Sequence, residues 1–93
     1  GRTIFYALFS LTSFELVHKH KSPEKKFLFH ICIGLELDID NAQKLLKVAG
    51  YDFSEYYIED AIIKFSIENK IYDFDEIEET FQHYNLDSFL YSE

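Results

Sequence analysis

Residues 34–91 read GLELDIDNAQKLLKVAGYDFSEYYIEDAIIKFSIENKIYDFDEIEETFQHYNLDSFLY. Three times in this stretch an acidic or Ser residue precedes an apolar run with helical spacing. Asp40 precedes Ala42, Leu45, Leu46 and Ala49; Ser54 precedes Tyr57, Ile58, Ala61, Ile62 and Phe65; Asp73 precedes Ile77, Phe81 and Tyr84. Capped runs with short connections predict helix after helix. Asp38 or Asp40 caps the first run, and Gly50 after Leu46-Lys47-Val48-Ala49 stops it. Ser54 is expected to open a long helix to about Asn69. Asp73 with Glu76, or Asp75 with Glu78, opens a helix to His83 or Tyr84, which Asn85 ends. Leu86, Phe89 and Leu90 form an anchoring tail.

Upstream, Ser22-Pro23-Glu24 is a helix start: Ser caps, Pro suits the first helical position and Glu suits the positive end of the dipole. This helix is expected to run to about Leu37. Phe27, Ile31 and Leu35, at i, i+4 and i+8, are its expected core face, with Leu28 and Cys32 beside them and Gly34 inside the helix. From Thr3 to His20, apolar residues at Ile4, Phe5, Leu8, Phe9, Leu11, Phe14, Leu16 and Val17 fit one long helix, or two over about 3–11 and 12–19. The expected fold is a compact all-α bundle of about five helices in a single domain, 1–93, with a short C-terminal helical tail.

Composition agrees with a packed core. The chain has 93 residues, 47% of them hydrophobic, with ten Phe and seven Tyr, which excludes a disordered chain. Three Gly and one Pro argue against a turn-rich β-sandwich. A single cysteine, Cys32, rules out an intrachain disulfide framework, and a cytoplasmic setting is expected. The apolar stretches are too short for a membrane span, and no targeting segment is read. The chain begins at Gly1 and contains no Met. Either an initiator is removed or the chain is a piece of a longer protein.

Charge is unevenly placed. Residues 1–50 carry a net +2 and residues 51–93 a net −10, giving −8 in all. Such asymmetry suits head-to-tail self-association or two partners of opposite charge.

The stretch from Ser22 to Leu86 resembles the C-terminal portion of small XRE-like (lambda-repressor-like) helix-turn-helix proteins of Gram-positive bacteria. The resemblance rests on Ser22-Pro23-Glu24-Lys25-Lys26, on Ile33-Gly34-Leu35-Glu36-Leu37-Asp38-Ile39-Asp40, and on Lys44-Leu45-Leu46-Lys47-Val48-Ala49-Gly50-Tyr51. It continues through Ile62–Asp73 and Phe74-Asp75-Glu76-Ile77. It implies a helix-turn-helix within Phe5 to Lys21, with Leu11 to His20 as the recognition helix. That counterpart is short, unusually apolar and without an Arg to read guanine edges, as a degenerate or truncated reading head would be.

No catalytic constellation is present, and no cofactor or small-molecule substrate is expected. His18, His20, His30 and Cys32 form an H-x-H…H-x-C arrangement of zinc-ligand types. Side chains at i and i+2 of a helix diverge, so ordinary histidines and a buried thiol account better for them. The same divergence leaves Cys32 without a base. The run DFDEIEE at 73–79 lacks the Gly and terminal Glu of a calcium loop and reads as an acidic first helical turn.

Two contact surfaces are predicted. Thr12, Ser13, His18, Lys19, Lys21, Lys25 and Lys26 are the candidate nucleic-acid contacts, a small basic footprint that predicts salt-sensitive binding. Tyr56, Glu59, Asp60, Glu76, Glu79 and His83 are the candidate interface for a protein partner, with Tyr as an anchor type. The leading expectation is a non-enzymatic helical interaction or regulatory module that self-associates or binds a protein. A DNA-binding regulator using residues 12–26 and an acidic mimic of nucleic acid are the alternatives.

Overall fold

A computed structural model describes residues 23–90. They form four helices: α1 Pro23–Gly34, α2 Ile39–Val48, α3 Ile58–Glu68 and α4 Phe74–His83. The expected all-helical class holds for these residues. The count of about five depended on the 3–20 segment, which lies outside the described residues. The tail differs from expectation: 84–90 is turn and irregular chain, not helix.

The helix starts follow side-chain chemistry. Asp38 caps α2, its carboxylate accepting the Asn41 N–H at 2.8 Å. Asp73 caps α4, accepting from the N–H groups of Asp75 at 2.9 Å and Glu76 at 3.2 Å. Of the alternatives left open by the sequence, these two are the caps. Ser54 is not one. Its hydroxyl accepts the Tyr56 N–H at 3.1 Å in a local turn, and α3 starts four residues later behind Tyr57, which makes no side-chain cap bond. A Ser–turn competes with capping for the same oxygen.

All four helices stop in the same way. The residue at each stop has a left-handed backbone: Glu36 (φ 52°), Gly50 (φ 85°), Lys70 (φ 56°) and Asn85 (φ 56°). The next residue then donates its N–H back five positions, Leu37 to Cys32, Tyr51 to Leu46, Ile71 to Ser66 and Leu86 to Phe81, at 2.7–3.0 Å. This is the Schellman pattern, and the returning residue is apolar in every case, as its packing requires. It also ends α1 at Gly34, three residues before the expected stop, so Gly34 is the last helical residue and not an interior one.

α3 is the central element. Ile58, Ile62, Ile63 and Ile67 are fully buried or nearly so, and Ser66 among them satisfies its hydroxyl by donating to the Ile62 carbonyl at 2.7 Å. Around α3 lie Ala42 and Leu46 of α2, Ile77 and Phe81 of α4, and Leu28, Phe29, Cys32 and Ile33 of α1. Branched side chains are mediocre helix formers, so tertiary packing and not local propensity holds α3. The α1 face is a correction. Phe27 and Leu35 are 62% and 68% exposed and Ile31 is half-buried, so the expected core row lies on the outside. α1 is apolar nearly all round, so spacing alone does not say which side turns inward.

Candidate functional site

Two side chains expected on the surface meet inside. Lys25 on α1 and Asp60 on α3 are 4% and 1% exposed, and the Lys25 ammonium donates to an Asp60 carboxylate oxygen at 2.5 Å. The same carboxylate oxygen accepts the Ser54 N–H at 2.7 Å, tying down the turn before α3. The ammonium also lies 5.8 Å from the Phe29 ring centre and 5.9 Å from that of Tyr57, within cation–π range. Buried charge demands such compensation. Lys25 is therefore not placed to hold a phosphate, nor Asp60 to meet a partner; each faces the other.

A second cluster holds the tail. One Glu78 oxygen on α4 accepts from the Ser88 hydroxyl at 3.0 Å, the Phe89 N–H at 2.7 Å and the Leu90 N–H at 2.9 Å. Its other oxygen accepts from the Gln82 amide at 2.6 Å. Burial alone would raise the Glu78 pKa, but the bonds from Gln82, Leu90, Ser88 and Phe89 outweigh it and leave the carboxyl below its ordinary value. From α1, the Lys26 ammonium donates to the Ser88 carbonyl, and His30 Nε2 donates to the Phe89 carbonyl at 2.5 Å. Two helices thus satisfy the main chain of 88–90. The Phe89 side chain, fully buried, lies edge-on to the His30 ring at 4.5 Å and beside Phe81 and Phe74 at 5.1 and 5.9 Å.

The remaining predicted residues are spread out. Thr12, Ser13, His18, Lys19 and Lys21 lie outside the described residues. Lys26 is half-buried under the tail. Tyr56 is 71% exposed, Glu79 and His83 are exposed, and Glu59 and Glu76 are half-buried. His83 stands edge-on to Tyr84. Among the described residues the large outward apolar side chains are Phe27 of α1, Leu35 just past its end, Val48 at the end of α2, and Tyr56 before α3.

His30 and Cys32 do not converge. Cys32 is a free thiol with no exposed surface, and burial pushes its pKa up to about 11 against a smaller lowering by a backbone hydrogen bond. Among the described residues no three His, Cys, Asp or Glu side chains gather as a metal site. Nor is any described helix long and apolar enough to cross a membrane.

Sequence reasoning missed Lys25–Asp60 and Glu78. Lys25 sits in a run of lysines and Asp60 in an acidic turn, and neither pattern marks burial. Compared with known proteins, the chain matches no family model, no curated protein and no solved structure.

Proposed function

We propose that this chain is a non-enzymatic helical protein-interaction module with a regulatory role, built on the scaffold of XRE-like regulators. One observation carries the reading: Phe27 on α1 and Leu35 just past its end are 62% and 68% exposed, with half-buried Ile31 between them. An outward apolar row along a helix and its end is what a partner helix or groove covers. The exposed acids Asp73, which caps α4, and Asp75 and Glu79 within it give the surface charge of one sign, which favours a basic partner. The DNA-binding alternative is weakened by the engagement of Lys25 and Lys26 within the protein.

The test compares the wild-type chain with a Phe27→Ser/Leu35→Ser double variant. Both positions are exposed, so the melting temperature is expected to stay within a few degrees. Protein retained by the immobilised wild type and lost by the double variant is the expected result. Equal retention by both chains would refute the proposal. Anisotropy of labelled duplex DNA, titrated at low and near-physiological salt, provides the control. Salt-sensitive binding there would favour the DNA-binding alternative.

A further inference from the structure

We propose, building on the outward row of α1 as the contact surface, that its occupant is a basic amphipathic helix of another protein. The apolar side of that helix lies on Phe27, Ile31 and Leu35, and its Lys or Arg residues face Glu36, Asp38 and Asp73.

The row keeps helical register over its whole length. Phe27, Ile31 and Leu35 stand at i, i+4 and i+8, on one face of a helix. Leu35 lies past the end of α1, yet its N–H still donates to the Ile31 carbonyl at 2.9 Å. At a rise of about 1.5 Å per residue the row is about 12 Å long, a little over two turns. A facing helix with apolar residues at the same spacing matches that length turn for turn. Glu24, three residues before Phe27, is exposed on the same side and puts a carboxylate at the near end of the row.

The fold gathers acids where the row ends. The Tyr72 hydroxyl donates to the Leu37 carbonyl at 2.7 Å, and a Cβ built on Gly34 would stand 3.9 Å from Phe74 Cζ. Both contacts join the end of α1 to the start of α4. Glu36 and Asp38 flank Leu37, Asp73 adjoins Tyr72, and all three acids are exposed. Burial first, and then the charges of Glu36 and Asp38, raise the Tyr72 pKa, as their nearness to that hydroxyl requires. Exposed Lys70, three residues before Asp73, is the nearest cation along the chain, and the acids outnumber it. Glu36 follows Leu35 directly, so the carboxylates begin where the apolar row stops. An acidic helix laid on the row would be repelled there, whereas a basic one matches both the apolar face and the charge beside it.

The probe is a blocked helical peptide of Leu, Ala and Lys, about 18 residues or five turns long with its Leu residues on one side. It is titrated into the full chain and followed by amide NMR. Saturable shifts at Phe27, Ile31, Leu35 and Glu36 are expected, and much weaker binding by the same peptide with Glu in place of Lys. In the chain, Glu36→Asn/Asp38→Asn/Asp73→Asn removes three charges and keeps the fold, because Asn suits the left-handed stop at 36 and caps helices as well as Asp does. An exposed ion pair is worth a factor of about two, so this variant is expected to bind the Lys peptide about tenfold more weakly, a difference that shrinks at high salt. Binding that needs Phe27 and Leu35 but takes Lys and Glu peptides equally overturns the basic partner and leaves the contact surface standing. Binding of the Lys peptide that survives Phe27→Ser/Leu35→Ser overturns both. No shifts along the row with the Lys peptide overturn the basic partner as well. Dimerisation of the chain alone, abolished by that double variant, assigns the row to a second copy. NMR contacts from residues 4–17 to Phe27 and Leu35 in the free chain assign it to the chain's own N-terminal segment. Either result overturns a separate partner.

Discussion

The Lys25 ammonium and an Asp60 carboxylate oxygen meet at 2.5 Å, across 35 residues of sequence and with almost no exposed surface on either side chain. The pair joins α1 to the central helix, and through the Ser54 N–H it also joins the turn before α3. Removing one member leaves a buried charge without its countercharge. Lys25→Met or Asp60→Leu alone is expected to cost about 3–5 kcal/mol in urea unfolding. The Lys25→Met/Asp60→Leu double variant is expected to be more stable than the sum of the two losses. It does not return fully to wild type, because the Ser54 N–H keeps no partner and costs about 1–3 kcal/mol. Strictly additive losses would show that the two charges do not interact.

Glu78 gives the fold a pH dependence of known sign. Its folded pKa lies below the ordinary carboxylate value of about 4.3. Its contribution is complete above that ordinary value and is lost as pH falls through the lowered folded value. Glu78→Gln is expected to destabilise the chain at pH 7 by about 1.5 kcal/mol, the low end for bonds to a charged group because Glu78 is half-buried. The gap between the two chains should narrow as pH falls below 4. A gap unchanged down to pH 2 would mean that the charge on Glu78 is irrelevant to holding the tail.

Cys32 is expected to be inert. The thiolate is the reactive form, and a thiol without exposed surface and with a pKa pushed up to about 11 supplies almost none at pH 8. A disulfide-exchange reagent should label the unfolded chain quickly in urea and the native chain only as fast as it opens. Rapid stoichiometric labelling of the native chain would place Cys32 outside the core.

Gly50 isolates a backbone effect. Its φ is 85°, and a Cβ added there would have no atom within 4 Å. Gly50→Ala is therefore expected to cost about 1–2 kcal/mol through conformation alone. Gly50→Asn should cost less, since Asn visits this region more readily. A neutral Gly50→Ala would show that the stop of α2 relaxes to another geometry.

Lys70 and Glu36 adopt the same left-handed stop without being Gly. The apolar residues that follow them explain why. Ile71 and Leu37 donate back to Ser66 and Cys32, and the Tyr72 hydroxyl donates to the Leu37 carbonyl at 2.7 Å, linking the two stops across the fold. The next tertiary contact, not the residue at the stop, selects the conformation there.

From the residues alone came the helical class, the cap regions Asp38–Asp40 and Asp73–Asp75, the stops at Gly50 and Asn85, and the anchoring role of Leu86 and Phe89. Each depends on neighbours within about one or two helical turns, so spacing and side-chain type suffice. Tertiary structure decided which side of α1 faces inward, because FLFHICIG is apolar on both sides. It moved the start of α3 from Ser54 to Ile58, because the Ser54 hydroxyl bonds Tyr56 and its N–H is held by Asp60. It also turned Lys25 from an apparent surface lysine into half of a buried pair, and Glu78 from one acid among many into the clasp of the tail. Those roles depend on groups 35 and 10 to 12 residues away. A local pattern carries no record of which distant partner folding brings to a side chain.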